Sequence, residues 1–200
     1  MKTLDFTPAD MEKRIARVDR LKPNKAEFLE RSGLPPEAYE HISAKSIFLL
    51  MAKPKEASKS NSQPAIDGPA GASIYVVETP AKDGPVLHAH MRTWETFMPL
   101  TGRYRFDYGR DGKHAVIVEP FELISVPPGV IRKFTNVEDH TARMMVIIQG
   151  EDDGAALNDI TMPPSVGEEI ARRWGGTSRA TLESMGYSFD ADLDEAKAAE

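Results

Sequence analysis

The stretch Gly84-Pro85-Val86-Leu87-His88-Ala89-His90-Met91-Arg92-Thr93-Trp94-Glu95-Thr96-Phe97-Met98-Pro99-Leu100-Thr101-Gly102 decides how this chain is read. His88 and His90 stand two apart in a β-prone run, so both imidazoles project from one face of the strand. Glu95 opens the next β-prone run, and the short turn between them can swing its carboxylate back toward the imidazoles. Two imidazoles and a carboxylate can fill three positions on a divalent ion and leave others open for a substrate. A single buried histidine is more often a hydrogen-bonded core residue. A same-face pair followed by a glutamate shifts the reading toward chemistry.

Around this stretch the chain reads as closely spaced strands. Runs at 73–78, 86–91, 94–100, 104–108, 114–119, 123–126, 130–135 and 143–149 are separated by turn signals such as Asp83-Gly84, Gly109-Arg110-Asp111-Gly112 and Pro127-Pro128-Gly129. Strands without intervening helices imply an antiparallel sandwich or barrel. The apolar run 46–52 reads as an additional strand, and 53–71, rich in Pro, Gly and Ser, as a loop. Helical signals flank this core. Thr7-Pro8-Ala9-Asp10 resembles a capping box opening a helix over 8–20, with Met11, Ile15 and Val18 as its apolar stripe. Further helices are expected over 25–31, 37–42, 165–174 and 178–185. The organisation expected is therefore an N-terminal helical extension (1–45), a β core (46–150, its motif-bearing part 72–150) and a C-terminal helical extension (151–200).

Two motifs together resemble the cupin superfamily. Its first motif runs His-x-His, a few residues, Glu, six residues, Gly, and His88, His90, Glu95 and Gly102 fit it. Gly84 lies closer to His88 than the usual upstream glycine. The second motif, Pro-x-Gly, two residues, His, three residues, Asn, is matched by Pro127, Gly129 and Asn136, with Arg132 in place of the histidine. Phe121 stands where the second motif's leading glycine is usual. The resemblance implies an all-β core, a cupin-type antiparallel double-sheet (jelly-roll-like) barrel, with a metal or ligand inside one mouth. It leaves the reaction open, because fold does not fix function.

Arg132 divides the expectations. A guanidinium stays protonated and offers no lone pair to a metal. In one reading His88, His90 and Glu95 alone hold the ion and Arg132 grips an anionic substrate. In another there is no metal, Arg132 pairs with Glu95, and the pocket binds a small anion. A third would supply a fourth ligand from elsewhere, with His140 the candidate by type, although Glu138-Asp139-His140-Thr141 reads as an exposed turn. The face of Arg132 is not fixed by alternation, because Lys133 puts a charge on the opposite face as well. Tyr104, Phe106 and Tyr108 share one face of a strand; they read first as packing, with Tyr104 and Phe106 kept as substrate-facing candidates. His41 and His114 belong to no constellation.

Composition sets the outer limits. The 200 residues include no cysteine and five histidines, which removes thiolate metal sites, thiol catalysis and disulfide scaffolds. The net charge of −6 argues against general nucleic-acid affinity. The acidic residues gather in the C-terminal quarter, around Asp190, Asp192, Asp194 and Glu195, which reads as a solvated tail. Neither a membrane span nor a signal peptide is visible, so a cytoplasmic protein is expected. The reading is a metal-dependent enzyme acting on a small, anionic organic molecule, with a non-haem iron dioxygenase placed first. Iron(II) is the first choice of metal, and manganese, nickel or zinc could use the same ligands. The alternatives are a metal-free anion-binding or sensor protein and a metal-assisted isomerase. The partners expected are a small-molecule ligand and a second copy of the chain in a homodimer.

Overall fold

The computed structural model describes residues 2–54, 63–150 and 159–191; for residues 26–28 and 31 only the backbone is described. Asp192, Asp194, Glu195 and part of the 53–71 loop lie outside the described residues.

Eleven strands form three sheets among these residues. The six-stranded sheet runs in the order β2 (Ile66–Asp67), β1 (Ser46–Ala52), β3 (Ala72–Thr79), β10 (Ala142–Gln149), β5 (Trp94–Pro99) and β8 (Ile124–Val126). The three-stranded sheet is β7 (His114–Val118), β6 (Tyr104–Tyr108) and β9 (Arg132–Asn136). A two-stranded ribbon joins β4 (Ala89–His90) to β11 (Ile160–Thr161). All ladders are antiparallel except β1 with β2.

Between the two larger sheets lies an aromatic and aliphatic core. Phe97 and Phe106 meet at 5.0 Å between ring centroids, and Phe134 stands edge-on to Phe97 and Tyr104. Leu49, Tyr75, Val77, Met144 and Val146 fill the remainder. Alternation governs the motif strands: in β9, Arg132, Phe134 and Asn136 are buried while Lys133 and Thr135 are partly exposed. The double sheet is as expected, but the barrel is not closed. Among the described residues no ladder joins β7, at one edge of the small sheet, to β8, at the edge of the large one. The sandwich is therefore open along that side.

The motif residues with no chemistry prove to be geometry. Gly102 turns the chain after β5 at φ +67°, where a Cβ would approach that of Ala142 to 2.9 Å. Asn136 donates from Nδ2 to the carbonyls of Thr79, Pro80 and His140, tying the end of β3 to the turn before β10. Phe121, in the place of the family's glycine, has φ +67° and is 76% exposed. A bulky side chain in the left-handed region is strained, and here it gains no burial in return. Phe121→Gly is expected to stabilise the protein by about 1 kcal/mol, read as a raised urea midpoint at unchanged slope; a lowered midpoint would show that the ring makes a contact worth more than the strain.

The terminal helices build a second core of their own. α2 (Lys25–Ser32) and α3 (Pro36–Ile42) precede the sheets, and α4 (Pro164–Trp174) and α5 (Gly176–Ser184) follow them. Ala38, Tyr39 and Ile42 pack with Met162, Ile170, Leu182 and Phe189. The helix expected over 8–20 is shorter. The capping box is present, but α1 covers only Pro8–Glu12, and a 3₁₀ turn takes Val18–Arg20. Met11 and Ile15 are 53% and 45% exposed. Without a surface to bury its stripe, so short a helix has nothing to extend it. Among the described residues no helix is long and apolar enough to cross a membrane.

Candidate metal centre

The turn at Gly84 aims the histidine segment. A Cβ on Gly84 would stand 1.9 Å from the Phe134 carbonyl oxygen, so only glycine lets the chain run this close to β9. From there the segment crosses β9 as a bridge, with His88 N donating to Arg132 O (3.0 Å) and Arg132 N to His88 O (2.9 Å). This crossing sets His88 beside Arg132. β4 then carries His90, and β5 brings Glu95 to the same place.

The ligand-type atoms of His88, His90 and Glu95 all lie within 4.8 Å of one another, and all three residues are buried. Each imidazole has its Nδ1 committed elsewhere. His88 Nδ1 donates to the Val86 carbonyl at 2.8 Å, and His90 Nδ1 donates to the Asp159 carboxylate at 2.9 Å. In the neutral tautomer so fixed, Nε2 keeps its lone pair. His90 Nε2 lies 3.7 Å from Glu95 Oε2. The donor set, two imidazole nitrogens and one carboxylate, therefore fits a first-row divalent ion with coordination positions to spare.

Arg132 has turned inward and is 1% exposed. Its Nη2 is ion-paired with Glu95 Oε2, and its Nη1 donates to the His88 carbonyl at 3.2 Å. Burial alone would raise the Glu95 carboxyl, but Arg132 and the two imidazoles outweigh it and hold it below the ordinary carboxylate range. Burial, then the Arg132 charge, push His88 down to about 3, so its imidazole is neutral near pH 7.

Asp159 is the residue that reading the motifs missed. It lies immediately before β11, in the C-terminal part of the chain, with its side chain 3% exposed. Besides His90, it accepts from the backbone N–H groups of Arg92 (2.6 Å) and Thr93 (2.9 Å). One carboxylate thus holds both the ring and the turn leading to Glu95. Burial works against its charge, yet these bonds keep its pKa below the usual value. Asp159→Asn is expected to weaken divalent-metal binding by about 10- to 100-fold, measured by competition with a chromophoric chelator. An unchanged affinity would remove Asp159 from the site.

Over this cluster lies a cavity of about 120 Å³. Its floor includes His88, His90 and Glu95, and its walls include Tyr39 from α3, Tyr75 from β3 and Tyr187 from the C-terminal segment. Arg132 does not line it; it lines a second cavity at the open side of the sandwich. Tyr104 lines neither cavity and packs fully buried against Phe134, while Phe106 packs in the core and faces the second cavity. His140 is exposed beside Asp139, and the cluster of ligand-type atoms does not include it. His41 stacks near Trp174 in the helical core, and His114 is exposed on β7.

Residues 75–148 match the family model described as "Cupin domain". Among solved structures the chain is similar to the cupin domain of Cnp3 from Schizosaccharomyces pombe (17% identity, 42% of this chain and 58% of that one, TM-score 0.38). It is also similar to a sugar phosphate isomerase from Silicibacter pomeroyi (20% identity, 42% and 54%, TM-score 0.38). A third is a DMSP lyase, DddQ, from Ruegeria pomeroyi (18% identity, 54% and 48%, TM-score 0.42). The chain spans between about half and three fifths of each of these proteins. No curated protein matches it.

Proposed function

We propose, from the match of residues 75–148 to the cupin-domain family model, that the chain is a metal-dependent enzyme in which His88, His90 and Glu95 hold a divalent ion. The observation that carries this reading is the commitment of both Nδ1 atoms to acceptors, which leaves each ring its Nε2 lone pair, in a buried cluster whose ligand-type atoms lie within 4.8 Å of one another. A buried pair of histidines kept for packing alone has no need of that arrangement.

Iron(II) in such a set supplies dioxygen and one-electron chemistry, and a non-haem iron oxygenase is the reaction class we adopt. The chain's own residues do the rest. Ile47, Val77 and Val146 give the cavity apolar walls and exclude water. An ion held by one carboxylate, next to the fixed charge of Arg132, leaves the site net positive, which favours a small anionic substrate. Tyr39 and Tyr187 line the cavity from the two helical extensions; burial raises both phenols, which stay protonated and hydrogen-bonded to each other beside a substrate. The natural setting for this reading is the cytoplasm.

The Arg132–Glu95 pair supports a second reading, a metal-free anion binder, because the guanidinium already neutralises the carboxylate. Metal analysis of protein purified from unsupplemented cells separates the two. Near-stoichiometric iron or manganese, lost in His88→Ala, is the expected result. Protein that is metal-free as purified, and takes up no added iron, manganese, nickel or zinc, would overturn the enzyme reading.

A further inference from the structure

The open side of the sandwich holds a cavity of about 290 Å³ that the metal site does not use. Its walls are apolar, with Phe106 from β6, Val116 from β7, and Val126 and Val130 from either side of the Pro127-Pro128-Gly129 turn. Arg132 is its single charged lining residue. This is the side where β7 and β8 share no ladder, so the cavity opens outward between two sheet edges; Val116 is 40% exposed there.

Arg132 lines this cavity and carries an unspent donor. Its Nη1 and Nη2 are engaged by the His88 carbonyl and Glu95, but its Nε, fully buried, has no hydrogen-bond partner among the described residues. A buried guanidinium N–H without an acceptor is costly, and water is a poor remedy in a cavity with so few other polar groups. A guanidinium offers adjacent N–H groups in a planar fork that matches a carboxylate.

We propose that this second cavity is a binding site for a small carboxylate with an apolar body, whose charge docks on Arg132 and whose body lies against Phe106, Val116 and Val130. The site is separate from the cavity over His88, His90 and Glu95, with which it shares no lining residue. It does not depend on the metal reading, because every group it uses is in place without an ion.

Benzoate and its neutral isostere benzamide serve as probes, titrated calorimetrically into the metal-free full chain. Benzoate is expected to bind, and benzamide about tenfold more weakly or worse, since a carboxylate accepts from a guanidinium N–H more strongly than a neutral amide does. Val116→Trp, which puts an indole into the second cavity, should abolish benzoate binding. Ile47→Trp, which fills the cavity over the histidines, should leave it intact. Equal binding of the two probes, no binding of benzoate, or loss in Ile47→Trp with retention in Val116→Trp would each overturn the proposal. Stoichiometric metal in the purified protein has no bearing on these outcomes, so the two readings fail separately.

Discussion

Arg132→Met is expected to destabilise the metal-free protein by about 3–5 kcal/mol, because it leaves the Glu95 carboxylate buried without a counter-charge. The reason lies in the packing. Arg132 is 1% and the Glu95 side chain 9% exposed, so neither group can turn to water when its partner is removed. Glu95→Leu leaves the mirror-image problem, an unpaired guanidinium, and should cost a similar amount. Combining the two substitutions should recover most of the loss, since an apolar pair of similar volume is often neutral or better at such positions. Urea denaturation of the two single variants and the double variant supplies the cycle; additive losses would show that the two side chains do not depend on one another. Metal binding should move the opposite way. Glu95 shares one oxygen between Arg132 and the neighbourhood of His90 Nε2, so Arg132→Met should bind divalent manganese more tightly than the parent protein. A variant that unfolds outright can still be rescued by the double substitution, which keeps the coupling measurable.

A fall in stability of about 1.4 kcal/mol for each pH unit is expected on acidifying the metal-free protein from pH 6 to 5. His88 is the cause. Burial and the nearby Arg132 depress its pKa from 6.5 to about 3 in the folded state. Above pH 6.5 the imidazole is neutral whether the chain is folded or not, and the group has no effect. Below 6.5 the unfolded chain takes up a proton that the folded chain refuses, so unfolding gains ground until the pH approaches 3. Glu95 and Asp159 are also depressed, but as carboxylates they add to the loss only below their ordinary values of 4.5 and 3.8. The window from 6 to 5 lies above both carboxylates, and a His88→Gln variant separates His88 from the other histidines. Urea melts at the two pH values, repeated on His88→Gln, check this; a slope that survives in the variant would assign the proton elsewhere.

The β core was readable because its strands are long enough to show a period of two and are separated by turns of distinctive chemistry. The two-residue strands β2 and β11 carry no period at all and could not be found that way. The overlong N-terminal helix has the opposite cause. Met11, Ile15 and Val18 have helical spacing, but periodicity says nothing about whether a surface exists to receive the stripe. Closure of the barrel was likewise beyond local reading, since it depends on whether two distant edges, β7 and β8, come within hydrogen-bonding reach.

Within the site, the His-x-His and the glutamate were legible from spacing, and the direction of Arg132 was not. Arg132 and Lys133 are both cations on adjacent, opposite faces, and only the crossing of the His88 segment over β9 decides which of them enters. Asp159 left less of a signal. It is 69 positions from His90 and follows a run of other acidic residues, so no interval or composition marks it out. A search for one acid beside a pair of β-formers, Ile160-Thr161, is the nearest thing to a rule that would have found it.

The hydrogen bond from His90 to Asp159 also sets a timetable. Ribosomes deliver the chain from its N-terminus, so both histidines and Glu95 emerge well before the carboxylate that orients one of them. Until β11 pairs with β4, the His90 ring and the turn to Thr93 both lack the carboxylate that holds them. A nascent chain can therefore fold its larger sheets while the candidate ligand set remains immature, and the last quarter of the polypeptide completes its orientation.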